Sequence, residues 1–234
     1  MNSSTLRRRL PWILVPLLLV WVIAEIALLP LGEIRALQKT NPKETAFMRD
    51  HLEKMDNMGK PAKVRQRWVP LSQIPVHVRN AVILAEDGAF WSHGGFDWFE
   101  FGESIKKNVS ELRPARGAST ISQQLVKNLY LSPSKNPIRK LKEWILTWWL
   151  EESLRKERIL EIYLNVIEWG EGVYGVQAGS QYHFGKDVTI LTREEGARMA
   201  AMIPSPKRYR PGQTTRYLDR YTRTILKRMD ARNL

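Results

Sequence analysis

Hydrophobic positions recur at helical spacing from about Ile74 onward, and no segment alternates long enough to predict a useful β-strand. Val78, Val82 and Ala85 share one face of a helix that should end near Gly88. The pattern therefore predicts a mostly α domain.

Capping signals and helix breakers divide the rest of this domain. Thr120 with Gln123, and Thr192 with Glu195, each form a predicted capping box. The predicted helices run from about Thr120 to Tyr130, Ile138 to Lys156, Glu157 to Glu168, from beyond Gly175 to His183, and from Thr192 to a stop at Pro204. A polar connector precedes the domain, with one short helix expected around Lys43–Met58.

The N-terminal segment is far more apolar than the rest. Leu10 to Leu31 holds 14 Leu, Ile or Val residues and a single charge, Glu25. As a helix it would span about 33 Å, close to the ~30 Å hydrocarbon core of a bilayer. Three arginines, 7–9, precede it and would stay in the cytoplasm. We predict an uncleaved single-pass anchor with the remainder outside; a cleaved signal peptide is the alternative, although the apolar run is long for one.

Charge is the unusual feature of the composition. The 234 residues carry 37 basic and 24 acidic side chains, a net charge of +13, which indicates a polyanionic partner such as anionic lipid, nucleic acid or a phosphate-bearing substrate. Cysteine is absent, which excludes a disulfide framework, a thiolate zinc site and a cysteine nucleophile.

The C-terminal stretch 206–234 has nine basic and two acidic residues. On a helix, one face would carry the basic residues Arg216, Arg220, Arg223 and Lys227, and the opposite face the residues Leu218, Tyr221, Ile225 and Met229. This pattern is typical of a docked amphipathic helix; contact of its basic face with anionic lipid headgroups is the second interpretation. The predicted units are an anchor at 1–31, a membrane-proximal connector at 32–73, a catalytic core at 74–206 and a basic amphipathic helix at 207–234.

Glu86 opens the first group of candidate residues. It follows the apolar run 81–85, where desolvation would raise its pKa and make it a proton acceptor near neutral pH. A glutamate exposed at a helix end is the competing interpretation, and Asp87 could equally be structural. His93 stands alone without metal-ligand spacing, so the sequence predicts no metal site.

The second and third groups are polar and basic. In 117–128, Gln123, Gln124 and Lys127 project from the side opposite the buried stripe, which suits a sugar–phosphate ligand. Arg139 and Glu143 are four residues apart, so a surface ion pair is the simpler interpretation. The functional interpretation places Arg139 and Lys140 on a departing pyrophosphate, with Glu143 orienting them or helping to hold a divalent ion.

A dinucleotide-like glycine pattern is discounted. Gly170, Gly172 and Gly175 match it literally, but they follow a helical segment outside any βαβ unit.

Together these segments resemble the monofunctional biosynthetic peptidoglycan transglycosylases and the glycosyltransferase module of bifunctional penicillin-binding proteins. The matching text is Glu86-Asp87 with Phe90, His93 and Asp97; Gly117 to Gln124 with Lys127-Asn128; Arg139-Lys140 with Glu143; and Lys156 to Asn165 leading into 170–175 and 182–186. Four blocks in the family's order cover about Ile74 to Pro206.

The resemblance implies a lysozyme-like glycosyltransferase fold with a small membrane-associated subdomain, for which the aromatic cluster Phe96, Trp98, Phe99 and Phe101 is suited. It implies polymerisation of lipid II, the polyprenyl-pyrophosphate-linked disaccharide, into β-1,4-linked strands with inversion. The growing glycan strand is the donor. The family pattern requires no cofactor, although Mg or Mn is a possible divalent cation.

The resemblance also assigns site residues. It implies that Glu86 is the general base and that Glu143, with Lys127, Arg139 and Lys140, stabilises the leaving pyrophosphate. The implied substrate-binding residues are Asp87, Phe90, His93, Ser119, Gln123, Gln124, Lys127, Asn128, Lys135, Arg139 and Lys140. Lys135 stands where many members have Arg, which keeps the charge but loses the bidentate fork.

Two other functions are weighed against polymerisation. A lytic enzyme would release soluble fragments from cell-wall sacculi, but it has no need of a pyrophosphate cradle. A nucleic-acid binder would show steep salt dependence, but a domain outside the cell would not meet nucleic acid. The expected partners are membrane lipid and other cell-wall synthesis proteins, and cross-linking is expected from another protein because these residues include no transpeptidase module.

Overall fold

A computed structural model describes residue 16 and residues 20–103, 119–131 and 137–234. Residues 20–27 and 98–103 are also helical. The principal helices are α1 (Leu31–Ala36), α2 (Ala46–Asn57), α3 (Val76–Glu86), α4 (Ile121–Tyr130), α5 (Pro137–Ser153), α6 (Lys156–Val166), α7 (Val176–Phe184), α8 (Arg193–Met202) and α9 (Arg216–Asp230). The mostly α class predicted from the sequence is confirmed, and the fold is consistent with a lysozyme-like domain.

One group of helices packs around α3. Helix α8 lies against α3, and α9 packs on both. Gly196 permits the close approach of α8, because a Cβ there would lie 3.0 Å from Val78 Cγ2 and 3.3 Å from Val78 Cα. On α9, Leu218, Ile225 and Met229 are fully buried. The apolar face predicted for the C-terminal helix is therefore confirmed, and its docking fixes the helix against the end of α3.

The second group contains α4, α5 and α6. Helix α4 packs on both of the others, α1 lies on α5, and α2 lies on α4. A single hydrophobic core extends from Ile34 to Met229 and includes Leu37 and Val69 of the predicted connector. The connector is thus packed against the domain rather than projecting from it. The division into four units stays a prediction from the sequence. The hydrophobic core includes residues from several of these units.

A three-stranded sheet packs against α7, although the sequence predicts no strand of useful length. Its strands are β1 (Arg65–Gln66), β2 (Glu168–Gly170) and β3 (Val173–Tyr174), in the order β1-β3-β2. β1 runs parallel to β3, and β2 runs antiparallel to β3 with an irregular register. Gly172 (φ 69°) makes the tight turn between β2 and β3. Strands of two or three residues are too short to show an alternating pattern.

The predicted helix positions are mostly accurate. Both capping boxes are present, at Thr120 and at Thr192. Helix α6 ends two residues before the predicted position, because residues 168–170 enter the sheet. Helix α5 ends at Ser153 rather than Lys156, and α1 had no counterpart among the predicted elements.

The predicted anchor lies mainly outside the described residues, which omit 1–15 and 17–19. Within the part of the chain that the structure describes, no helix has both the length and the apolar character needed to cross a bilayer. Glu25, the one charge in the predicted anchor, pairs with Lys142 of α5. Trp149 Nε1 of α5 also donates to the Leu31 carbonyl at 3.1 Å. The base of the N-terminal segment is therefore docked on α5.

Candidate active site

Glu86 is the last residue of α3 and is half-buried at the floor of a cleft. Its Oε2 accepts a hydrogen bond from Gln124 Nε2 at 2.8 Å, and Gln124 Oε1 accepts one from the buried Tyr163 hydroxyl at 2.8 Å. Burial raises the pKa of Glu86, the Gln124 hydrogen bond lowers it, and the neighbouring charge of Asp87 raises it again. The alternative of an exposed glutamate at a helix end is wrong. The carboxyl group is held by a neutral amide and is suited to accept a proton.

Asp87 has a structural position beside Glu86. Its side chain is buried; Oδ2 accepts the Ile121 backbone N–H at 3.0 Å, and Oδ1 lies 2.8 Å from His93 Nε2. The Ile121 amide belongs to the first turn of α4, where backbone N–H groups have no helical partner. Asp87 thus ties the end of α3 to the start of α4.

His93 completes this connection. Its Nδ1 accepts the Gly95 backbone N–H at 3.1 Å, which assigns the ring proton to Nε2 and makes it the donor to Asp87. Phe90 is fully buried and packs edge-on against His93, with Lys156 Nζ 4.5 Å from its ring centroid. Phe90 therefore lies in the core and packs beneath His93, and its role in substrate binding stays a prediction.

The cationic group lies around Glu143 of α5. This carboxylate is buried, and its two oxygens are taken by Arg139 Nη1 at 2.9 Å and by Lys140 Nζ. The charges of Glu143, Arg139 and Lys140 all act on the ammonium of Lys127. Burial lowers the pKa of Lys127, Glu143 raises it, and the two other cations lower it. A simple surface ion pair is therefore wrong, because the Glu143 carboxylate is buried and pairs with two half-buried cations, Arg139 and Lys140.

Helix α4 connects Glu86 with the cations. Gln124 contacts Glu86, and Lys127 lies three residues further along the same helix, on the same face. Asn128 Nδ2 donates to the Gln124 carbonyl at 2.8 Å. Gln124, the hydrogen-bond partner of Glu86, and Lys127 are therefore about one helical turn apart on α4.

The cleft has a volume of about 1280 Å³. Its lining includes Glu86, Asp87, His93 and Ser119 of the predicted site. The cations are not part of this lining: Lys127 lies on α4, three residues beyond Gln124, and Arg139 and Lys140 lie on α5. Gln123 is buried in the capping box of α4, so it holds the helix start. Lys135 lies outside the described residues.

Aromatic side chains form the outer edge of the cleft. Trp98 and Phe99 are 65% and 76% exposed. Phe96 stacks on Trp98 at 5.5 Å and packs edge-on against Trp144 of α5 at 6.4 Å. Such exposed aromatic groups are unusual on a surface that faces only water. The cleft therefore opens beside an apolar surface.

Several residues of this region were not identified from the sequence. Tyr163 supports Gln124, while Tyr221 and Arg228 of α9 and Arg232 in the turn that follows α9 line the cleft. Tyr163 falls within the helical block that carried the resemblance, yet nothing in its spacing marks it as a partner of Gln124. The predicted basic face of α9 held Arg216, Arg220, Arg223 and Lys227, whereas Arg228 and Arg232 were assigned to neither face, and only the packing of α9 on α3 shows that they turn inward.

A metal ion was a possibility for this region. Among residues 20–103, 119–131 and 137–234, no three His, Asp or Glu side chains lie together in an arrangement able to hold one. Both oxygens of Glu143 are occupied by cations. The possible Mg or Mn ion therefore stays a prediction from the resemblance.

A proton acceptor near a set of half-buried cations is suited to one class of reaction. The acceptor removes a proton from a hydroxyl nucleophile, and the cations stabilise an anionic leaving group. Glycosyltransferases that use a sugar pyrophosphate as donor need both.

Comparison with known proteins gives the family. The model of the family described as Transglycosylase matches residues 52–230. A biosynthetic peptidoglycan transglycosylase of Nitrosospira multiformis is 46% identical over 189 residues, which cover 81% of this chain and 82% of that protein. One of Herminiimonas arsenicoxydans is 40% identical over 98% of each chain, and one of Nitrosomonas eutropha is 44% identical over 93% of this chain and 90% of that protein. The chain belongs to the transglycosylase family.

Proposed function

We propose that Glu86 is the general base of a peptidoglycan glycosyltransferase and that Lys127, Arg139 and Lys140 bind the pyrophosphate that leaves. The chain polymerises glycan strands in cell-wall biosynthesis, with lipid II and the growing strand as substrates. The observation that supports the assignment most directly is the half-buried Glu86 carboxyl, which accepts a hydrogen bond from Gln124 on the helix that also carries Lys127.

The proposed reaction is a single displacement. Glu86 takes the proton from the 4-hydroxyl of the incoming disaccharide. The hydroxyl oxygen then forms a bond to the anomeric carbon of the growing strand, with inversion. The bond between that carbon and the pyrophosphate oxygen breaks, and its electron pair leaves with the polyprenyl pyrophosphate. The negative charge on this group increases as the bond breaks, which is where cations stabilise the transition state most.

Glu143 acts through the cations. Its two oxygens hold Arg139 and Lys140, so their positions are set before a substrate binds. Its negative charge also favours the protonated form of Lys127, which burial disfavours. We therefore assign Glu143 to positioning the cations, with no direct contact with the sugar. The proposal requires no cofactor.

The pH dependence of the reaction tests the base assignment. Glu86 must be deprotonated to accept a proton, so the rate should rise with pH through its raised pKa, above the range of an ordinary carboxyl. Gln124→Leu removes the hydrogen bond that lowers this pKa. We expect the acid limb of the kcat/KM profile to move to higher pH in this variant.

Gln73→Leu is the matched control, because Gln73 is exposed in a short 3₁₀ turn away from the cleft. Its profile should coincide with that of the unaltered enzyme. Rates are measured with purified lipid-linked disaccharide, and the polymer is resolved by electrophoresis. An unchanged acid limb in Gln124→Leu would contradict the assignment of Glu86 as base.

We further propose that the chain is a single-pass protein of the bacterial inner membrane, with its N-terminus in the cytoplasm and its catalytic domain in the periplasm. The apolar run 10–31 and the three preceding arginines support this topology. The exposed Trp98 and Phe99 are suited to contact the outer leaflet, near the polyprenyl chain of the substrate. Cell-wall synthesis proteins are the expected protein partners.

The absence of cysteine makes this topology directly measurable. Ser3→Cys and Ser72→Cys each introduce a unique thiol. A membrane-impermeant maleimide added to spheroplasts should label position 72 and leave position 3 unlabelled until the membrane is opened. Labelling of position 3 in closed spheroplasts would exclude this topology, and a mature protein that lacks residue 3 would show a cleaved signal peptide.

A further inference from the structure

The last turn of α3 ends without its usual helical hydrogen bonds. The Asp87 N–H donates to the Ile83 carbonyl at 2.8 Å, and beyond this residue the chain leaves the helix. The carbonyls of Leu84 and Ala85 then have no amide one turn further along the helix to accept from. These two carbonyls directly precede Glu86, so the way they are satisfied affects the position of the catalytic carboxylate.

Helix α9 supplies the missing donors. Arg228 Nη1 donates to the Leu84 carbonyl at 3.1 Å, and the Tyr221 hydroxyl donates to the Ala85 carbonyl at 3.0 Å. Arg232 Nη1 donates to the Gly88 carbonyl at 3.0 Å, just beyond Glu86. The three carbonyls lie on both sides of Glu86 in the sequence. Hydrogen bonds from charged donors are stronger than neutral ones, and the negative end of a helix favours a cation.

We infer that Tyr221, Arg228 and Arg232 are positioning residues for catalysis, which hold the end of α3 so that the Glu86 carboxylate points into the cleft. Asp87 fixes the same turn from the opposite side through its bond to the Ile121 amide. The base is therefore held from two directions, by α4 and by α9.

Precise placement of the base matters because proton transfer needs a donor–acceptor separation of about 2.6–3.2 Å. Helix ends that lack partners fray readily. An end of α3 that frays would reduce the time for which Glu86 reaches the acceptor hydroxyl. It would leave the cations around Glu143 unaffected, because they are held by α5.

The alternative is that the arginines bind an anionic group of the substrate directly, since all three side chains line the cleft. The two roles predict different kinetics. A positioning residue affects the chemical step, whereas a substrate contact made equally in the ground and transition states changes KM with kcat unaltered.

The test uses full-length protein with lipid-linked disaccharide as substrate. Arg228→Met removes the charge and the donors while keeping a long side chain, and we expect kcat to fall about tenfold with KM unchanged. Tyr221→Phe removes a single hydroxyl and should lower kcat about threefold. Arg228→Lys keeps a cationic donor and should restore most of the lost rate.

Arg220→Gln is the matched control on the exposed face of the same helix. It removes one charge from α9 without touching α3 and should retain full kcat. Thermal melting is recorded for every variant; Tyr221→Phe changes least and keeps the inference testable if Arg228→Met folds poorly. A raised KM with unaltered kcat in Arg228→Met, or unaltered kinetics in both Arg228→Met and Tyr221→Phe, would overturn the positioning role.

Discussion

Glu86→Gln should abolish polymer formation from lipid-linked disaccharide. The amide has the size of the carboxyl and can still accept the hydrogen bond from Gln124, but it cannot take a proton from the acceptor hydroxyl. Removal of a general base costs about 10²- to 10⁴-fold in rate, so we expect a loss near 10³-fold. The measurement is the initial rate of polymerisation with electrophoresis of the product.

Stability measurements separate this loss from unfolding. Burial raises the folded-state pKa of Glu86 above that of an ordinary glutamate carboxyl, so burial of the ionised form opposes folding. This penalty is absent well below pH 4.5 and grows as pH rises through the folded-state pKa. Glu86→Gln should therefore melt at the same or a higher temperature than the unaltered protein at neutral pH, and the difference should disappear in acid.

A second carboxylate in the same cleft provides the control. Glu100 is an exposed residue of the cleft lining, and Glu100→Gln makes the identical chemical change there. It should keep its activity. Retained polymerisation by Glu86→Gln would refute the base assignment.

Lys127→Met should produce the second largest loss. Methionine has a similar length but carries no charge, so the leaving pyrophosphate loses the cation nearest to Gln124 along α4. Loss of one group that stabilises developing negative charge costs about 10²- to 10³-fold in kcat. The release of polyprenyl pyrophosphate, followed as a function of time, measures this step.

Stability measurements also serve as the folding control for Lys127. Here the charge whose burial opposes folding is positive, whereas that of Glu86 is negative. Burial lowers the pKa of Lys127, so the protonated side chain opposes folding near neutral pH, and Lys127→Met should be at least as stable as the unaltered protein. Lys127→Arg retains the charge and should recover part of the rate. Lys54→Met, at an exposed lysine of α2, should have no effect. If the activity of Lys127→Met stays within twofold of that of the unaltered enzyme, Lys127 is not one of the cations that stabilise the leaving pyrophosphate.

The helices were predictable because their signals are local. The capping boxes at Thr120 and Thr192 and the apolar stripe of α3 lie within a few residues of the elements that they define. The short strands were not predictable, because β1 pairs with β3 across more than a hundred residues of sequence. Their pairing depends on tertiary packing and leaves no periodic signal.

The membership of the candidate site was easier to predict from the sequence than the role of each of its residues. The resemblance identified Glu86, Gln124 and Glu143, and the structure brings them into one region. Sequence spacing alone could not separate a buried Glu86 from an exposed one, since burial is decided by α4 and α9, which come later in the chain. The inward-facing arginines of α9 were missed for the same reason.

Glu86 is hydrogen-bonded to Gln124 of α4, and Lys127 belongs to the same helix. This arrangement has a mechanical consequence. An α-helix rises 1.5 Å per residue and resists stretching, so Gln124 and Lys127 keep a separation of about 4.5 Å along the helix axis. This separation stays the same from one round of synthesis to the next. A bound substrate therefore has to match this separation, because the backbone of α4 does not adapt to it.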